Sequence, residues 1–125
     1  MPARTTEPSE DYRKKLELYE RLVATNPQVE RKGDTMPYTS INGNMFSLFT
    51  KEATLALRLP ADVREAFLKK HKTKLTEQYG AVMKEYVDVP DSLLANTKAL
   101  TPYFETSYEY AKGLRAKPSR AKKRR

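Results

Sequence analysis

Cysteine is absent from all 125 residues, which excludes a disulfide framework, a thiol nucleophile and a zinc–thiolate site. That usage fits a cytoplasmic protein. Histidine occurs once, as His71, with no second histidine and no cysteine to complete a metal site or a nucleophile–base pair. Set between Lys70 and Lys72, it reads as a surface residue. Glycine is equally sparse: Gly33, Gly43, Gly80 and Gly113 stand singly, so no phosphate-cradling loop is present. No window approaches the roughly 18 continuous apolar residues of a membrane span. The opening run Met1-Pro2-Ala3-Arg4-Thr5-Thr6-Glu7-Pro8 carries no apolar signal core, so neither export nor membrane association is expected.

The chain does hold enough apolar material for one core. At 125 residues and 38% hydrophobic composition, a single domain can fold without a metal or disulfide staple. The net charge of +8 invites a nucleic-acid reading, but its distribution argues against one for most of the chain. Residues 114–125 carry Arg115, Lys117, Arg120, Lys122, Lys123, Arg124 and Arg125 and no acidic residue. The remaining 113 residues hold 17 basic and 16 acidic side chains, so the body is close to neutral and is not a basic nucleic-acid module.

Periodicity places the elements. Ser9 suits an N-cap and Glu10 and Asp11 a first helical turn, which opens a helix to about Ala24. Its apolar face is Tyr12, Leu16, Tyr19 and Val23, and Asn26-Pro27 closes it. Met36 to Ile41 reads as a strand confined by Pro37 to an edge or to its first positions. Asn42-Gly43 is the strongest short-range hairpin signal in the chain. Met45 to Thr50 is apolar on both faces and reads as a central strand. After Lys51-Glu52-Ala53, the alternation of Leu55, Leu57 and Leu59 with Thr54, Ala56 and Arg58 marks a third strand with its leucines inward.

Pro60 and Asp62 then start a short helix through Val63, Ala66 and Phe67 to about Lys70. A polar segment and Gly80 lead to a fourth strand, Ala81 to Val87, with Val82 and Tyr86 on one face and Met83 and Val87 on the other. Pro90-Asp91 opens a helical turn. The last helix starts at Thr101-Pro102 or nearer Thr97, presents Phe104, Tyr108 and Ala111 on one face, and ends at Gly113. The expected fold is therefore α+β and two-layered, with an antiparallel sheet of about four strands: a hairpin meander plus one later strand. Helices from both ends of the chain pack on it. Residues 1–8 and the basic tail 114–125 read as disordered flanks of a domain spanning 9–113.

Three segments carry a family resemblance. They are Asn42-Gly43-Asn44-Met45-Phe46-Ser47-Leu48-Phe49, Thr54-Leu55-Ala56-Leu57-Arg58-Leu59-Pro60, and Tyr86-Val87-Asp88-Val89-Pro90-Asp91-Ser92-Leu93-Leu94. In order and spacing they resemble the amino-terminal domain of the TfoX/Sxy competence regulators, over roughly residues 26–114. Where that family commonly has Arg-x-Met-Phe-Gly-Gly before the turn, this chain has Met36-Pro37-Tyr38-Thr39-Ser40. The resemblance implies a bacterial cytoplasmic domain of secretion-chaperone-like fold. It would act through protein interaction in transcriptional regulation of the competence type, and the resemblance supplies no catalytic residue.

The residue chemistry agrees with a non-enzymatic reading: no catalytic, cofactor or metal residues are expected. Asp88 and Asp91 flank Pro90, and a strand end followed by a first helical turn explains both without catalysis. Tyr103, Tyr108 and Tyr110 fall at helical spacing, which favours packing roles over base stacking, and any tyrosine left exposed would mark a protein interface. The seven tail cations are either a solubilising end or a weak, sequence-independent phosphate anchor. They lack Asn, Gln or aromatic neighbours for base readout. Lys122-Lys123-Arg124-Arg125 also looks like a nuclear signal, which the resemblance to a bacterial family makes idle. A protein partner is expected, and an exposed sheet edge or face leaves homodimerisation open.

Overall fold

The computed structural model describes residues 10–33 and 36–114. The candidate N-cap Ser9 and the tail cations Arg115 to Arg125 lie outside the described residues. Element order is α1 (Glu10–Val23), β1 (Tyr38–Ile41), β2 (Asn44–Phe49), β3 (Leu55–Arg58), α2 (Ala61–His71), β4 (Leu75–Gln78), β5 (Ala81–Val89), α3 (Asp91–Leu94) and α4 (Thr97–Lys112). The strands form one antiparallel sheet in the order β1-β2-β3-β5-β4. The class is α+β, as expected, with five strands rather than about four.

The additional strand is β4, inside the segment expected to be merely polar. Leu-Thr-Glu-Gln has little apolar alternation to announce it; as an edge strand it needs only one side of its backbone paired. What forms the hairpin is the connection. Tyr79 and Gly80 both have positive φ, 55° and 76°, the combination that a two-residue turn between twisted strands requires. Asn42 and Gly43, at 55° and 79°, make the same turn between β1 and β2.

All the helical core residues lie on one side of the sheet. Tyr19 and Leu22 of α1, Phe67 of α2, Leu93 and Leu94 of α3, and Leu100, Phe104 and Tyr108 of α4 bury against Phe46, Phe49, Leu55, Leu57, Leu59, Val87 and Val89. The three leucines of the β3 region are completely buried, as their alternation predicts. Tyr19 stacks on Phe49, with ring centroids 5.7 Å apart, and Phe46 meets Phe104 at 5.6 Å.

A bulge in β2 makes this arrangement possible. Thr39 pairs with Ser47 and Ser40 with Met45, so Phe46 is an extra residue on the longer strand. Strict alternation would put Phe46 with Leu48 and oppose both to Phe49. The extra residue instead turns Phe46, Ser47 and Phe49 toward the helices and leaves Met45 and Leu48 on the opposite face. Ser47 Oγ lies 2.6 Å from the Tyr19 hydroxyl and also bonds Thr39, so this buried polar group is satisfied. Burial pushes the Tyr19 phenol up to about 12.

The last helix starts at Thr97, the earlier of the two expected sites. Asn96 caps it by accepting from the Ala99 N–H at 3.2 Å, and Pro102 falls inside the helix rather than at its first position. The first strand is an edge, one of the two places expected from Pro37, which itself lies just before β1. Its approach depends on Gly33, whose φ is +83° and where an added Cβ would sit 2.7 Å from the Met36 carbonyl and 3.0 Å from the Tyr38 ring. Only glycine fits there.

Candidate functional site

The sheet face opposite the helices is built differently. Leu48, Ala56 and Tyr86 form a small buried cluster, and Met36, Tyr38, Met45 and Met83 pack against it. No helical residue belongs to this cluster. Every methionine among the described residues is on this face, and the helix-side core has none. Met83 and Tyr86 share it, which corrects the expected alternation that set them on opposite faces. The cause is a register break: Leu75 pairs with Val87 but Thr76 with Met83, so Lys84, Glu85 and Tyr86 are extra residues on β5.

That break also bends the β4–β5 hairpin back across the face. Thr76 Oγ1 donates to Asp88 at 2.8 Å, and Lys74 pairs with the same carboxylate at 3.2 Å. Beyond the bend, Glu77 and Gln78 line a polar cleft of about 240 Å3 together with Thr50, Glu52 and Thr54 from the β2–β3 connection. At the tip, the Tyr79 hydroxyl donates to the Met36 sulfur at 3.5 Å. The hairpin is therefore an arm, held at its base through Asp88, along its length by Met83 and at its tip by Met36. Tyr79 is 85% exposed and Val82 48% exposed, and these are the large exposed hydrophobics among the described residues.

Arg58 organises the opposite end of the face. The β2–β3 ladder begins at Ser47, so the Met45 carbonyl lies outside it and accepts instead from the Tyr86 hydroxyl at 2.8 Å and Arg58 Nη1 at 3.2 Å. Arg58 Nε donates to Glu85 at 2.7 Å, and the second Glu85 oxygen accepts from Tyr110 of α4 at 2.8 Å. The guanidinium sits 5.8 Å from the Tyr86 ring centre and 5.9 Å from that of Tyr110, within cation–π range of both. Burial pushes Glu85 up, but the hydrogen bonds from Arg58 and Tyr110, with the charges of Arg58 and Arg64, outweigh it and hold the carboxyl below its usual range. Burial pushes the Tyr86 phenol up to about 12.

The residues singled out from sequence do not converge. Asp88 belongs to the arm's base, whereas Asp91 pairs with Lys15 of α1 at 2.9 Å. His71 is half-buried rather than on the surface: its ring packs 4.6 Å from Phe67 and 5.7 Å from Tyr103. Burial, and then the charge of Lys70, lower its pKa. Tyr103 joins that aromatic group, Tyr108 is buried and donates to Gln28 at 3.0 Å, and Tyr110 holds Glu85. These are packing roles at three separate places. Sequence reading missed Met36, Met45, Met83 and Tyr79 as a group, because two register breaks and a bend gather them, and only the Tyr79-Gly80 step gives a local signal.

Comparison with family models, with curated proteins and with solved structures gives no match.

Replacing Glu85 by Gln is expected to cost on the order of 1 kcal/mol at pH 7, at the low end because the carboxylate is partly solvated. The lowered carboxyl contributes stability that is present above the unfolded value near 4.5 and is lost as pH falls through the folded value. Urea unfolding from pH 7 down to pH 3 should show the two proteins converging below pH 4.5.

Proposed function

We propose that this chain is a non-enzymatic protein-interaction domain whose contact surface is the β4–β5 arm and the methionine- and tyrosine-rich face beside it. The observation that carries this reading is Tyr79. A bulky aromatic at φ 55° is the residue a tight turn least favours, and Asn42 fills the corresponding place in the other hairpin. Leaving such a ring 85% exposed adds a second local cost. A side chain that violates turn chemistry and burial together is best explained by what it contacts. Tyrosine, methionine and arginine are also the side chains enriched at protein interfaces, and methionine adapts to varied partner shapes. The three segments that resemble the TfoX amino-terminal domain make transcriptional regulation of the competence type, in the cytoplasm, the process proposed for this contact.

A photo-crosslinking residue at position 79 in the full chain, expressed in bacterial cells, tests the reading. A discrete adduct is expected from position 79 and none from position 69, on the exposed outer side of α2. Absence of an adduct at 79, or equal labelling at 69, contradicts it.

A second reading rests on the seven tail cations, which form a nonspecific phosphate anchor in this account. Labelled duplex DNA titrated across a salt series should bind the full chain with a log–log slope of up to about 6. A version ending at Gly113 should not bind. Equal binding by both versions would remove the tail from the account.

A further inference from the structure

Both anchors of the arm to the face beneath it, at its tip and along its length, involve thioethers. At the tip, Met36 sulfur accepts the Tyr79 hydroxyl at 3.5 Å. Along the arm, Met83 packs on the Leu48, Ala56 and Tyr86 cluster, with Met45 beside it. None of the three methionines is fully buried, and with no cysteine in the chain theirs is the only sulfur among the described residues. The pairing of the arm with the rest of the ladder is interrupted at the break between Leu75 and Thr76. The helix-side core is free of methionine, so oxidation would reach the arm and leave the core intact.

We propose that Met36, Met45 and Met83 form an oxidation site for peroxides, and that their conversion to sulfoxides releases the β4–β5 arm from the helix-free face. A sulfur lone pair attacks one peroxide oxygen. The S–O bond forms as the O–O bond breaks, and the departing hydroxide takes the proton of the transferred oxygen. The products are sulfoxide, with sulfur oxidised by two electrons, and water, to which the peroxide is reduced. The new S=O dipole is strongly polar and must be solvated. Met83 and Met45 pack against the Leu48, Ala56 and Tyr86 cluster, whose apolar surface suits a thioether; a sulfoxide gains its hydration by turning out of that packing. At Met36 the sulfoxide oxygen is a stronger acceptor than the thioether sulfur, so the Tyr79 hydroxyl keeps a partner at the tip. Oxidation therefore loosens the arm along its length, where Met83 packs on the face that Met45 shares.

The consequence for a partner rests on the interaction reading above, but release of the arm can be observed without any partner. The full chain is treated with dilute hydrogen peroxide, sulfoxides are located by peptide mass mapping, and amide hydrogen exchange is compared before and after. The expected result is sulfoxide at Met36, Met45 and Met83 with exchange in residues 76–83 faster by about tenfold or more, while α1 and α4 are unchanged. Treatment with methionine sulfoxide reductases should restore protection. A Met45→Leu, Met83→Leu variant, close to volume-conserving and with the Met36 contact at the tip retained, should keep its protection in peroxide. Unchanged exchange in the oxidised arm overturns the proposal. So does equal acceleration in α1 and α4, or the same response in the leucine variant. Failure of crosslinking at position 79 in untreated protein would instead remove the interaction reading and leave arm release standing.

Discussion

The extra residue at Phe46 is the constraint on which the rest of the structure depends. Without it, period-two alternation would divide the two phenylalanines of β2 between the faces. With it, Phe46 and Phe49 both enter the helix-side core, where they meet Phe104, Tyr108, Tyr12 and Tyr19. A fully buried phenylalanine at such a position is worth about 3–5 kcal/mol against alanine. The same displacement puts Met45 and Leu48 on the far face and leaves the Met45 carbonyl for Arg58 and Tyr86. One inserted residue thus sets the composition of both faces.

The second break, in β5, matters as much for function. An open two-layer sheet with helices on one side leaves an apolar face toward solvent, and this chain covers that face with its own hairpin. The cover is light: Asp88 at the base, methionine packing along the length and a single hydroxyl–sulfur bond at the tip. Thioethers and aromatics make such a cover adaptable, because they pack without demanding fixed hydrogen-bond partners. The helix-side core, with its close-packed rings and the Tyr19, Ser47 and Thr39 hydroxyls bonded to one another, is built to fixed geometry instead.

Most of the helix-side architecture was legible in the sequence. The Tyr12, Leu16, Tyr19 and Val23 stripe, the Asn42-Gly43 turn and the leucine alternation each state a local rule that the fold obeys. The helix-free face was not legible, for a physical reason. Bulges shift the side-chain period by one or more residues without any composition signal, so Met83 and Tyr86 read as opposed although they are neighbours. The polar strand β4 was hidden because an edge needs no apolar alternation. His71 read as solvent-facing from its lysine neighbours, yet the opposite side of the helix turns it onto Phe67. Tyr79 could have been found: a residue before glycine, between short runs, that is aromatic where asparagine would be usual.

The central claim is that the β4–β5 arm lies across the helix-free face with its tip on Met36. Nuclear Overhauser contacts in a protein with carbon-13-labelled methionine methyls test it without altering a residue. The account predicts a contact from the Met36 methyl to the Tyr79 ring, and contacts from the Met83 methyl to Leu48 and Tyr86. A Tyr79 ring that contacts only its own hairpin, with no transfer to Met36, would contradict it.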